Sequence, residues 1–376
     1  MALFLYMLRE TISKSKHVVE HLCRAPTWTR HHEPISPGKR SPMRSISKHH
    51  LTTIVLAVAA LMAVSCSDPG PDQAAPTDPV DQQVTLLRSS VARDTTPQVA
   101  QDVLAELTSG NTAFAFDLYE QLRRTDGNLF YSPYSISLAL AMLYGGARGD
   151  TEAEIADALH FTLSQQLLHP AFNHLDLTLT SRGEGAQGQD GEPFRLRIAN
   201  SVWGQTGYSF EQDYLDLLAR NYGAGMNLLD FASDPESART TINNWVSDST
   251  EGRIDNLLPP GSIVPLTRMV LTNAIYFNAA WEYQFEESAT ESGEFTTVDG
   301  IRLTVPFMRQ TEHFGYKRGD AYEVIELPYD GNELSMVIIA PDSGDFSWSE
   351  KGMNAATITA AIDSLNTRRV DLSMPK

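Results

Sequence analysis

Residues 128–159 read NLFYSPYSISLALAMLYGGARGDTEAEIADAL. Ser132 is a residue type that caps helices, and Pro133 after it suits the first helical position, where a missing N–H costs nothing. Ile136, Leu140, Leu143 and Tyr144 then recur at helical spacing until Gly145-Gly146 ends the run. Thr151-Glu152-Ala153-Glu154 has the form of a capping box and predicts a shorter helix through Leu159. Upstream, Phe114, Leu118 and Leu122 fall one turn apart beside Ala115 and Tyr119, which predicts a helix after Asn111 that Asp126-Gly127 stops.

Downstream the period changes. After a Gly-rich loop (181–191), Phe194, Leu196 and Ile198 alternate with Arg195, Arg197 and Ala199, which is strand periodicity with one wet face. Helices over 209–221 and 235–250 flank a short strand at 226–231. TRMVLTNAIYF (267–277) is a long apolar run with β-branched and aromatic residues, and reads as a central strand. Within it Asn273 shares a face with Met269, Leu271, Ile275 and Phe277, where a buried amide needs partners. Strands over 301–309, 313–317, 322–327 and 333–340, a helix over 353–365 and the closing RRVDLSMPK complete the pattern. Helices first and antiparallel-style strands later argue for an α+β fold rather than a doubly wound parallel sheet.

The 376 residues are 42% hydrophobic and 20% charged, with two cysteines, which excludes collagen-like, disulfide-scaffold and wholly disordered chains. A formal charge of −18 leaves no basic stripe for phosphates, so no nucleic-acid partner is expected. The charge is uneven: nine Lys/Arg face three Glu in residues 1–66, so the front carries +6 and the remainder −24. Leu51 to Val64 is fourteen residues without a charge, too short to span a bilayer as a helix but suited to the core of a secretory signal. Its Ala63-Val64-Ser65-Cys66 end resembles a bacterial lipobox, with Ala63 where Leu is usual, which makes Cys66 the lipid attachment site and the cell envelope or surface the destination. A plain cleaved signal, with Cys66 an ordinary thiol, is the competing reading. Residues 43–66 are thus read as a signal peptide beginning at Met43, and 1–42 as lying upstream of the true start. Residues 67–94, rich in Pro, Asp, Gln, Ser and Thr, read as a disordered tether to a domain over 95–376.

That domain resembles the serpin family. The residues that carry the likeness are Asn128, Ser132-Pro133-Tyr134-Ser135-Ile136, Gly146-Ala147-Arg148-Gly149 and Thr151 to Ile155, similar to the family's helix B signature. INNWVSDSTEGRIDNLLPP (242–260) is similar to helix F and its exit, and LTNAIYFNAAWEYQF (271–285) to the third strand of sheet A. VPFMRQ, ELPYDGNELSMVIIAP and VDLSMPK match later strands, all in the family's order. The resemblance implies helices around three mostly antiparallel sheets, and an inhibitor rather than an enzyme. A serine protease, or secondarily a cysteine protease, cleaves an exposed loop that then inserts into sheet A. It also implies a shutter where Asn273 meets Ser132 and Ser135, and a breach at Trp281. The family pattern continues beyond Met374-Pro375-Lys376, so the reactive loop and its scissile bond are expected outside these residues. A serpin-fold binding or scaffold protein without inhibitory activity is the alternative; the loop hinge, small residues against bulky ones, separates the two.

Other motifs carry less. Arg148-Gly149-Asp150 spells an integrin-type tripeptide but coincides with the family's turn. His31-His32 and His49-His50 sit in the front segment without ligand-spaced partners, and no HExxH, GxSxG or GxGxxG occurs, so no catalytic residue, metal or cofactor is expected. The stretch 164–180, which corresponds to helix D, contains no Lys or Arg, so no sulfated-polysaccharide site is expected there.

Overall fold

The computed structural model describes residues 83–125, 127–188, 191–297, 299–342, 352 and 354–376. The signal and leader segments, Cys66, the first part of the tether (67–82), Asp126 and the expected helix start at 353 lie outside the described residues.

A helix that is apolar all round must be buried all round, and α2 (Pro133–Tyr144) meets that condition: Pro133, Ser135 to Met142 and Tyr144 are all buried. It lies between a helical layer and a sheet. The helical layer is α1 (Gln101–Leu122), α3 (Asp150–Leu159) and α4 (Gln165–Thr180), which pack Leu107, Phe114, Leu118, Leu159, Leu168 and Phe172 around Ile136 and Leu140. The sheet has the order β1-β3-β2-β4, formed by β1 (Thr85–Leu87), β2 (Arg195–Gln205), β3 (Met226–Leu229) and β4 (Met269–Asn278). Adjacent residues of β2 serve opposite layers: Val202 packs with Ala139 and Met142 of α2 and with Leu215 and Leu218 of α5 (Gln212–Tyr222). Trp203 packs with Ala238 and Ile242 of α6 (Pro235–Ser249).

The second sheet is antiparallel throughout. β5 (Glu291–Thr296), β6 (Arg302–Arg318), β7 (Tyr322–Pro328) and β8 (Ser335–Pro341) follow in order. β9 (Asn366–Pro375), entered from α7 (Ala355–Asp363), also pairs with β6. The α+β fold with helices about mostly antiparallel sheets stands, but the described strands form two hydrogen-bonded sheets rather than three. The strands expected at 301–309 and 313–317 are one continuous strand, β6, whose 17 residues serve β5, β9 and β7 in turn.

Other expectations change for physical reasons. β4 is at the edge of its sheet among the described residues, not at its centre; it reads as central because α2 and α6 cover both its faces. α1 begins at Gln101 and runs through Gly110-Asn111, because Gly110 leaves room for another backbone: a Cβ there would come within 2.5 Å of the His160 carbonyl oxygen. The capping box does not form. α3 starts at Asp150, with Gly149 at φ 63° as its N-cap and no side-chain cap; Thr151 is already inside the helix, and Asp150 and Glu152 complement its dipole instead.

The tether reading fails over 85–94. β1 pairs antiparallel with β3, Ser89 Oγ donates to Asp216 Oδ1 (2.6 Å), and Arg93 donates through Nε to Asn173 Oδ1 (2.9 Å) and through Nη2 to Asp176 Oδ2 (2.6 Å). Asn173, fully buried in α4, returns a bond to the Asp94 carbonyl (2.6 Å). Polar composition misleads here because the segment is held by specific hydrogen bonds more than by apolar burial. Arg93→Ala leaves Asn173 and Asp176 short of a donor and is expected to cost about 1–3 kcal/mol. Trypsin cutting at Arg88 should then run several-fold faster, and an unchanged cutting rate would show that the clasp holds nothing.

Candidate functional site

Thr272 and Asn273 are neighbours on β4 and therefore point to opposite faces. On the α2 side, Ser135 Oγ donates to Asn273 Oδ1 (2.5 Å), and Asn273 Nδ2 donates to Asn200 Oδ1 (2.5 Å), directly across the ladder on β2. Ser135 is 1% exposed, so this chain joins a buried helix to two strands. On the α6 side, Trp203 Nε1 donates to Thr272 Oγ1 (3.0 Å), and Trp203 meets Trp245 of α6 edge-on at 5.7 Å. One step along β4 is thus pinned to both covering layers.

Ser132 does not meet Asn273 in this arrangement. Its Oγ accepts from the Ser135 N–H (3.3 Å) as the α2 cap, and that role commits the oxygen to the first turn. Pro133 occupies the first turn and Ile136 is 1% exposed in the apolar core, so neither joins the hydrogen-bonded chain. Asn128, Gly146 and Gly149 are exposed and lie outside the cluster: Asn128 before α2, Gly146 after it, Gly149 capping α3. Asn200 is the member that sequence reading missed, although its register opposite Asn273 follows once β2 and β4 pair.

Trp281 lies past the other end of β4. It bridges Tyr329 through the backbone and stacks on its ring at 4.6 Å and 11°, with Phe285 edge-on at 6.4 Å. Tyr329 in turn meets Phe277 of β4 at 5.0 Å, and Phe277 meets Phe194 at 5.7 Å. This run of rings joins the end of the first sheet to the core of the second, where Phe314, Leu327 and Met374 pack.

Nothing in this arrangement is a nucleophile paired with a base. Among the described residues no group of three or more His, Cys, Asp or Glu side chains is placed to hold a metal, and no helix is long and apolar enough to cross a membrane. What the cluster can do is mechanical. β4 has one outer edge with no strand on it among the described residues, and the Ser135–Asn273–Asn200 bonds fix its position over α2.

Asn273→Ala removes both bonds and strands the buried Ser135 hydroxyl, so a loss of about 2 kcal/mol is expected. Ser135→Ala and the double variant complete a cycle in urea unfolding. Strictly additive losses would mean that the two side chains are not coupled.

The chain has clear relatives. A family model described as Serpin (serine protease inhibitor) matches residues 109–376. An uncharacterized serpin-like protein of Thermococcus kodakarensis is 37% identical over 287 residues, covering 75% of this chain and 65% of that protein. The leukocyte elastase inhibitor of Homo sapiens is 39% identical over 243 residues, covering 64% of this chain and 62% of that protein. The structure of ovalbumin from emu (Dromaius novaehollandiae) superposes with a TM-score of 0.66 at 27% identity, over 72% of this chain and 73% of that chain. The chain spans a little under two thirds of the length of these curated relatives.

Proposed function

Because this chain belongs to the serpin family, we propose that it is the body of a protease inhibitor whose first sheet opens beside β4 to admit a further strand. The observation that carries the reading is the outer edge of β4, with a partly buried polar latch at its middle. An edge that carries no strand among the described residues favours strand addition, and each new ladder bond would reward it. The Ser135–Asn273–Asn200 chain is the shutter in this reading, and the rings around Trp281 form the breach at the end where entry begins. The target is a serine protease, with cysteine proteases second. The protein is consumed by the target's own chemistry, and its residues have no catalytic role.

We assign the 51–66 segment to export and to lipid attachment at Cys66, which holds the inhibitor at the cell envelope or surface. The reading is tested by incubating the full-length gene product with trypsin-like, subtilisin-like and elastase-like proteases. An SDS-stable complex, with a rise in melting temperature after loop cleavage, is expected. Cleavage with neither result would leave a serpin-fold binding or scaffold protein.

A further inference from the structure

Ten large apolar side chains are exposed among the described residues, and five of them lie in segments at or near one end of the first sheet, spread across its width. Tyr208 (54% exposed) follows β2, Val264 (48%) and Leu266 (80%) precede β4, and Val84 and Leu86 lie beside and within β1. The register brings these segments together. Gly204 pairs with Met269, Gln205 with Leu229 and Leu228 with Thr85, while the Gln205 N–H donates to the Arg268 carbonyl at 2.9 Å. Trp281 lies beyond the opposite end of β4, roughly 30 Å away at about 3.3 Å per strand residue.

The chain that precedes the domain leaves from this same end, just before Thr85. Cys66 stands 17 positions before Gln83 in sequence, a stretch that reaches at most about 60 Å. Charge near the patch is mixed: Arg88 and Arg268 are exposed, as are Glu211 and Asp213 at the start of α5. Attraction to a surface would therefore be apolar, and would favour zwitterionic over strongly anionic lipid. Exposed apolar side chains on two adjoining loops suit an interaction surface, and the point before Thr85 where the domain's chain begins indicates which one.

We infer that this end of the domain rests on a lipid surface, with Leu266, Val264 and Tyr208 entering the interfacial layer beside the anchored chain. The inference rests on the lipid-attachment reading of Cys66. It turns the Trp281 end, and with it the entry to the open edge of β4, away from the bilayer and toward proteases in solution.

The test uses the full chain, made in a bacterium that lipidates exported proteins, labelled with palmitate and reconstituted in phosphatidylcholine vesicles. The amides of 206–210, 263–264 and 266–268 should exchange at least about tenfold more slowly than in the free Cys66→Ser chain, since burying a leucine is worth that much in partition. Leu266→Asp, at a site too exposed to disturb the fold, should abolish the slowing and keep the label. Label with unchanged exchange overturns the lipid-facing surface and leaves the anchor standing. If no label appears the anchor reading falls, and flotation of the chain with phosphatidylcholine vesicles then decides the surface alone. Flotation weakened by Leu266→Asp sustains the proposal, and no flotation overturns it. Protection in the free chain that grows with protein concentration assigns the patch to a second copy and also overturns the proposal.

Discussion

Trp203→Ala will lower the unfolding free energy by about 4 kcal/mol, within the roughly 3–5 kcal/mol typical of a fully buried large aromatic. Trp203 is 1% exposed and sits where β2 meets α6, against Ala238, Ile242, Leu258 and Trp245. Alanine there leaves a cavity that α6 cannot fill without leaving the sheet. It also removes the donor to Thr272, whose hydroxyl keeps only a 3.5 Å contact to the Ser201 carbonyl. Trp203→Phe separates the two losses, because it keeps most of the ring and drops the N–H; about 1–2 kcal/mol is expected for it. Urea midpoints measure both. A Trp203→Ala loss below about 1 kcal/mol would mean that α6 does not depend on this contact.

The second large effect is a pH dependence that His169 contributes. His169 is 2% exposed in α4, its Nδ1 is 2.6 Å from the Tyr222 hydroxyl, and burial, followed by the Arg148 charge, pushes its pKa down from 6.5 to about 4. The folded chain therefore binds fewer protons than the unfolded chain between those values. Stability is complete above pH 6.5 and falls as the pH drops toward 4, by about 2 kcal/mol at pH 5 and about 3 kcal/mol in all. His169→Gln has no proton to gain there, so the stability difference between parent and variant should shrink by these amounts as the pH is lowered. A difference that stays flat from pH 7 to 5 would remove His169 as the cause.

The elements that sequence exposes are those whose neighbours lie above and below them. α2 is buried on nearly every side and β4 is covered by a layer on each face, largely buried on one and partly on the other, so both read correctly as interior elements. What the apolar run of β4 does not report is who sits beside it, since lateral neighbours bond through the backbone and leave no mark on side-chain choice. Hence an edge strand reads as central. Asn273 was legible as a polar residue in an apolar run, but Asn200 was not. In RLRIANSVWG the Asn200-Ser201 pair looks like the end of a strand, whereas each is bonded within the sheet, Asn200 to Asn273 and Ser201 to Asn227. β5 (ESGEFT) and β1 (TLL) are short, mostly exposed edge strands, and their sequences say little about their place. The family likeness supplied the order of elements; the pairing of Ser135 with Asn273 came from it in part, and the failure of Ser132 to join them is a matter of cap geometry.

The pairing of β1 with β3 has a kinetic consequence. Leu87 and Met226 are partners across roughly 140 residues, and closing a loop of that length costs about 4 kcal/mol of chain entropy for a three-residue ladder. So long-range a contact is a poor nucleus, and the expected order places it after the more local pairing of β2 with β3. As the chain emerges from a ribosome, the segment that leads the domain out thus stays undocked until β3, roughly 140 residues behind it, has followed. The Arg93 clasp then closes on α4, and the Asp94 N–H on the Arg220 carbonyl of α5, only once both helices are in place.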